Sequence, residues 1–334
     1  MERDKYWDSL KFILIFFVVY GHIAPHYLGN SHFNMAIYNL IYFFHMPLFI
    51  FISGRFSHIR DIKKYKRGII RLAETYVVFQ ILRTIASVLF ENAELSWDCL
   101  IIPNWILWYI QVLIFWRLMV CFAYLRLGQS WIQLHCRKIV VASFGISLLA
   151  GFIPIGEEFS IQRTLSFLPF FVMGYYSVDF DIRKTINRIP VVVPIVVFIV
   201  SFGILYKLHL NLDYVHHGSF TYWTEDNTLS LLRLGLRCMF YVVAIILATL
   251  VMRLIPSNPL LAKWGSSTMF IYIYHSFALR EVLFPLIVSS AVMQHPLILF
   301  IHAIAITAIL LFLSRSKFLN ALMNPISFFS TKRI

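Results

Sequence analysis

Charged side chains are scarce. Asp, Glu, Lys and Arg make up 13% of the 334 residues, about half the share of a soluble domain. Hydrophobic residues make up 60%, and the mean hydropathy is +0.75. This excludes an ordinary soluble globular class. The sequence also lacks the two-residue alternation over about ten positions that a transmembrane barrel strand requires. Its apolar runs are long and unbroken, as in Phe12–Val19 and Val191–Ile204, and they are rich in Phe (32) and Tyr (17). Cysteine is limited to Cys99, Cys121, Cys136 and Cys238, scattered without metal spacing or a disulfide framework. The sequence has no P-loop, Rossmann fingerprint, HExxH motif or paired-carboxylate glycosidase signature. Acidic residues number 16 against 29 Lys and Arg, a net charge of +13. That excess would fit a nucleic-acid partner, but the cations lie in short loops between apolar runs, the pattern of a topology signal. No nucleic-acid partner is therefore expected.

What is present is a series of membrane-length segments. Taking about twenty apolar residues per span, the sequence predicts ten: 10–28, 35–54, 72–90, 105–125, 139–154, 164–180, 190–208, 232–252, 265–283 and 296–314. The fifth and sixth are short. With the N-terminus inside, 22 of the 29 cations fall in the inside segments, and the outside loops hold one, Arg163. Acidic residues favour the outside loops. The reading is an all-α polytopic membrane protein with about ten transmembrane helices and both termini cytoplasmic. It forms a single membrane-embedded domain over 1–334. The first apolar run has no small-x-small cleavage site and a second run follows at once, so it reads as a retained span. The longest outside loop, 209–231, carries His209, His216, His217, Tyr222 and Trp223. It reads as an interfacial aromatic belt, with contact to a sugar as the alternative.

Ionisable residues inside membrane segments are costly and point to function. Lys11 opens the first span and His22 lies eleven residues on, about 16 Å and three helical turns away on roughly the same face. A neutral imidazole there could take the proton of an attacking hydroxyl; the alternative is a packed histidine hydrogen-bonded within the bundle. In the second span His45 precedes Pro47, which interrupts the helix ladder; the pair reads either as a proline kink with a hydrogen-bonded histidine or as a kinked or unwound backbone lining a cavity, and Ser53 ends the same run. The loop 55–71 is the most basic stretch. Its Arg67 and Arg71 share a helix face, and their forks match phosphate oxygens, although positive-inside signalling explains the neighbouring lysines equally well. Glu74 reads as either a partner of Arg71 or a proton acceptor. Trp105, Trp108 and Tyr109 open the fourth span as interfacial anchors or as a stacking face for a sugar. His275 lies in the ninth span, after a start rich in Ser and Thr. Arg83 and Arg117 are intramembrane cations whose partners the sequence does not name. No metal site is expected. Such an inventory suits transfer of a group from a phosphate-bearing cytoplasmic donor to a hydroxyl, or a transporter whose histidines relay protons.

The order of these motifs resembles acyltransferase family 3, the integral membrane O-acyltransferases, and within it the fucose 4-O-acetylase-like group. The resemblance rests on Lys11…His22, on Phe44-His45-Met46-Pro47-Leu48-Phe49 running to Ser53-Gly54, and on the basic loop ending at Arg67 and Arg71. It continues through Trp105…Trp108-Tyr109, Leu168-Pro169-Phe170-Phe171 with Gly174-Tyr175, and Gly265-Ser266-Ser267…Tyr272…Tyr274-His275. Two features depart from the family pattern. Lys11 stands where many members have arginine, and Arg67 and Arg71 are four apart where a three-residue step is common. The resemblance implies acetyl-CoA as co-substrate with no bound cofactor, a carbohydrate acceptor on a surface or exported glycan, and a location in the bacterial cytoplasmic (inner) membrane. It also implies His22 as base or nucleophile, Lys11 guiding the donor or stabilising charge on the thioester oxygen, and Arg67 and Arg71 on the donor. No extracytoplasmic hydrolase-like domain follows the tenth span, the stand-alone form. A proton-coupled transporter or exporter of an envelope glycan precursor is the alternative; the sequence lacks the repeat between halves that carriers often show.

Overall fold

The computed structural model of the chain describes residues 4–28, 31–154, 156–210, 212–224, 226, 228–279 and 295–326. It is 80% helical with no strand among the described residues, and a single isolated bridge joins Trp223 to Leu229. Among the described residues, six helical segments are long and apolar enough to cross a membrane: Lys5–His26, His32–Arg55, Ile62–Phe90, Trp97–Leu127, Leu231–Leu254 and Pro296–Leu313. The other expected spans correspond to shorter elements. Segment 190–208 is the 17-residue helix Val192–Leu208. Segment 139–154 is the 14-residue helix Cys136–Leu149 followed by a 3₁₀ turn. Segment 164–180 is split at Phe167 into Ile161–Ser166 and Leu168–Tyr176. The break has a local cause: Pro169 lacks an N–H and is suited to the first turn of a new helix. Of segment 265–283, the helix Thr268–Phe277 is seen, and the part from residue 280 lies outside the described residues.

The chain divides into two compact units. The first comprises residues 1–52, 179–217 and 235–314. Its central element is α1 (Lys5–Ile23), started by Asp4, whose side chain accepts the Tyr6 N–H as an N-cap. Leu10, Leu14, Ile15, Val18 and Val19 of α1 are fully buried. The helix packs against Pro259–Gly265, Thr268–Phe277 and Pro296–Leu313. Gly265 permits this closeness: a Cβ there would stand 2.0 Å from the carbonyl oxygen of Asp8, so the two backbones approach as only small residues allow. Tyr6 Oη donates to the Met252 carbonyl at 2.7 Å, and Ser9 Oγ to that of Asn258 at 2.9 Å.

The second unit comprises residues 53–178, 218–234 and 315–334. The helix α3 (Ile62–Phe90) is capped by Asp61, which accepts the N–H groups of Lys63 and Lys64. It packs against α4 (Trp108–Leu127) and against Lys317–Met323, while Cys136–Leu149 packs against Leu168–Tyr176. Gly54 meets Phe171 backbone to backbone; a Cβ there would lie 2.0 Å from its carbonyl oxygen. Gln80 ties α3 to the loop before α4, donating to the Cys99 and Ile102 carbonyls and accepting from Asn104 N. Arg83 is buried and gains the partner that the sequence did not name, Glu91 at 2.8 Å.

Of the two readings at Pro47, the unwound backbone is not found, and His45 is hydrogen-bonded to the Ile41 carbonyl within the helix. The helix α2 (His32–Arg55) runs through Pro47 without a break. Proline removes one backbone donor, but nearly every residue from Ile41 to Ile52 is buried, and tertiary packing holds the turn that proline weakens.

Candidate active site

Within the first unit, three of the sequence-predicted histidines share one local device. His22 Nδ1 lies 2.8 Å from the Val18 carbonyl, His45 Nδ1 lies 2.9 Å from that of Ile41, and His275 Nδ1 lies 3.2 Å from that of Ile271 and 2.6 Å from that of Tyr272. A carbonyl can only accept, so in each ring Nδ1 carries the hydrogen and Nε2 holds the lone pair. The four-residue step is set by helix geometry, since a side chain at i can reach the carbonyl at i−4 one turn back.

The structure brings two of these rings together. His275 Nε2 lies 3.3 Å from His22 Nδ1, with ring centroids 5.0 Å apart. The lone pair of His275 therefore faces the N–H of His22, which it shares with the Val18 carbonyl. A second ring nitrogen held by an acceptor fixes the tautomer and supports positive charge on the ring when Nε2 takes a proton. His275 is fully buried and His22 is half-buried, so the basic nitrogen belongs to the more accessible ring.

Tyr42, which the sequence reading did not single out, joins His45 to the same neighbourhood. Its hydroxyl donates to the Gly21 carbonyl, one residue before His22, at 3.2 Å, and its ring lies 4.5 Å from that of His45. The four-to-seven spacing along α2 that sets Tyr38, Tyr42 and His45 on one face was the available signal. Tyr42 also meets His216 and His217, with ring centroids at 5.7 and 6.0 Å. Of the two, His216 is 3% exposed and lies against Phe43, so its ring is packed inside the unit. Burial pushes its pKa well below the ordinary histidine value, with His217 and His45 adding to the effect. Among the described residues, no cluster of three or more His, Cys, Asp or Glu could hold a metal ion. A half-open apolar cleft of about 340 Å³ lies in this unit too, lined by Ile13, Phe17, Ile41, Phe44, Phe198 and Val251 among others; it offers packing surface and no acid–base group.

Lys11 is placed on α1 with its ammonium 2.6 Å from the buried carboxylate of Asp8, one turn back. Since α1 is continuous from Lys5 to Ile23, the rise of about 16 Å between Lys11 and His22 is fixed. The ammonium is held on the Asp8 side of α1, toward the helix start and away from the His22 end.

The remaining predicted residues belong to the second unit. Arg67 and Arg71 are exposed on α3. Glu74 accepts the backbone N–H of Ile326, so its carboxylate ties the middle of α3 to the segment after Lys317–Met323. Ser53 Oγ and Tyr109 Oη form a short hydrogen bond of 2.5 Å. Trp108 is stacked on Phe167 with centroids 5.8 Å apart, and Arg163 lies over its ring at 5.3 Å, so its indole is engaged by the protein. Trp105 is half-buried in a left-handed backbone conformation (φ 39°) at the start of a 3₁₀ turn.

No curated protein and no solved structure matches the chain. A family model described as an acyltransferase domain matches residues 4–326, nearly the whole chain, and the protein therefore belongs to acyltransferase family 3.

Proposed function

We propose that this chain is an O-acetyltransferase of the cytoplasmic membrane that moves an acetyl group from acetyl-CoA to a sugar hydroxyl of a surface or exported glycan, as in the fucose 4-O-acetylase-like group. The observation that carries the reading is the His22–His275 pair, with the proton on His22 Nδ1 and the lone pair on Nε2. In the proposed step the acceptor hydroxyl gives its proton to His22 Nε2 while its oxygen attacks the thioester carbon. The carbon–sulfur bond breaks, and the proton passes from His22 to the departing thiolate, so that CoA leaves as the thiol and the sugar as its acetyl ester. His275 stabilises the transient imidazolium from the Nδ1 side. Family membership over residues 4–326 supports acyl transfer, and the concentration of cations in alternate loops supports ten spans with both termini cytoplasmic, the side on which acetyl-CoA is found.

Arg67 and Arg71 are assigned to the phosphate-bearing end of the donor, and Lys11 to guiding the donor or stabilising charge on the thioester oxygen. Lys11 sits three turns from the base on the same helix, and the two arginines are exposed on α3, as a docking role requires. Glu74 is assigned a structural role through Ile326. Mass spectrometry of surface glycans from cells with and without the protein tests acceptor and group together. A difference of one acetyl per repeating unit is expected; identical glycans would contradict the reading. Transport without acyl-CoA dependence would favour the carrier alternative.

A further inference from the structure

Arg117 lies midway along α4 in the second unit, and its surroundings differ from those of Arg83 and Arg163 in the same unit. Arg83 has Glu91 and Arg163 has Glu157 within salt-bridge distance. The guanidinium of Arg117 instead has one hydrogen bond among the described residues, from Nε to Ser57 Oγ at 3.3 Å, and no carboxylate. Its planar head lies 5.8 Å from the ring centre of Tyr65, whose hydroxyl donates to the Arg117 carbonyl at 3.3 Å. Ser57 Oγ in turn donates to the Ser53 carbonyl, and Ser53 Oγ meets Tyr109 Oη. The half-buried cation thus sits among neutral hydroxyl groups from three helical segments.

A buried or half-buried charge without a counter-charge is costly, and residues of this kind mark ligand sites in membrane proteins. The level of the site along α3 says which ligand. Nη1 of Arg117 stands 3.4 Å from where a Cβ of Gly68 would be, so the guanidinium lies against α3 at the level of Gly68. Gly68 follows Lys63, Lys64, Lys66 and Arg67 directly in sequence, the most basic stretch of the chain. A guanidinium whose two Nη groups have no hydrogen bond among the described residues, oriented through Nε by Ser57 and with several further cations along the same stretch of α3, matches phosphate oxygens.

We propose that Arg117, with Ser57 and Tyr65, forms a phosphate-binding site for the acyl donor. The proposal rests on the acyl-CoA reading above and adds to Arg67 and Arg71 a cation that the sequence motifs did not assign. Arg117 is a binding residue here and takes no part in proton transfer.

The test is equilibrium binding to the purified full-length protein in detergent, with CoA, inorganic pyrophosphate and pantetheine as separate probes. Wild type is expected to bind CoA and pyrophosphate, and Arg117→Met to bind both about 10- to 100-fold more weakly, the range of a charged hydrogen-bonded contact. Pantetheine binding should not change. Arg117→Lys keeps the charge without the fork and should fall between. If Arg117→Met does not fold, Ser57→Ala, which removes the hydrogen bond orienting the guanidinium, should still weaken CoA by a few-fold with pantetheine unaffected. Arg117-dependent binding of pyrophosphate without binding of CoA supports a phosphate site here and overturns the acyl-CoA reading instead. CoA affinity in Arg117→Met within twofold of wild type overturns the proposal, as does loss of an anionic lipid from that variant with CoA affinity intact.

Discussion

His22 and His275 divide one hydrogen between them, and the division is decided by neighbours. His275 commits its Nδ1–H to the carbonyls of Tyr272 and Ile271 and so can only accept at Nε2; His22 must therefore donate from Nδ1. The consequence is a single defined basic nitrogen, Nε2 of His22, at the end of α1.

This ordering makes His275 a positioning residue. His275→Leu is expected to lower kcat about 10- to 100-fold, less than the roughly 10²–10⁴ expected for the base itself, with KM for acetyl-CoA little changed. His275→Asn, whose side-chain oxygen can also accept, should recover part of the loss. Steady-state kinetics on the two variants checks this; equal defects in both would show that His275 serves packing alone.

Lys11 and Asp8 provide a test of structure against chemistry. Lys11→Met leaves a buried carboxylate without its 2.6 Å partner and should destabilise the protein by about 3 kcal/mol. Lys11→Met combined with Asp8→Asn should regain most of that stability. If Lys11 also serves the donor, the double variant will unfold near the wild-type temperature yet keep a raised KM for acetyl-CoA. A wild-type KM in the double variant would confine Lys11 to its ion pair.

Stability should depend on pH through His216. Its native pKa is depressed by burial, whereas in the unfolded chain it lies at about 6.5. Below that value the unfolded chain takes up a proton that the folded protein refuses, so stability is complete above about pH 6.5 and falls as the pH drops below it. One such group contributes a slope of at most about 1.4 kcal/mol per pH unit. His216→Phe, placed among Phe43, Tyr42 and Phe240, should flatten the acid limb of Tm against pH. An unchanged acid limb would show that His216 is not the group responsible.

Gly265 should tolerate no side chain. Gly265→Val places a branched side chain where even a Cβ meets the Asp8 carbonyl at 2.0 Å, and α1 and the helix Pro259–Gly265 must move apart. A loss of at least about 3 kcal/mol is expected, read as a lower Tm in detergent. Gly145→Val, with open space at the Cβ position, is the control and should change Tm little.

Much of the architecture was legible in hydropathy because the bilayer sets both the length and the composition of a span. The segments 35–54, 190–208, 232–252 and 296–314 match helices to within three residues at each end. The short spans were less legible. A hydropathy window does not register that Pro169 starts a new helix after Phe167, nor that packing around Pro47 keeps α2 intact. At the site, single histidines stood out because an imidazole in an apolar run is costly, which brought forward His22, His45 and His275. The 3.3 Å pairing of His22 with His275 joins positions 253 residues apart, and nothing local in either helix encodes it. Tyr42 was passed over and His216 was read as part of an interfacial belt because tyrosine in a membrane helix and histidine in a loop are ordinary in composition; their burial is a property of the fold. Lys11 was legible as a costly cation, and its separation from His22 followed from helix geometry, but its ion pair with Asp8 is a finding of the structure.

The most direct test of the central claim is transfer of radiolabelled acetyl from acetyl-CoA to membrane glycan, comparing wild type with a well-expressed His22→Ala variant. The account predicts label in glycan with release of CoA thiol for wild type, and incorporation at background for His22→Ala. Near-wild-type transfer by the variant would contradict the assignment of His22 as the base.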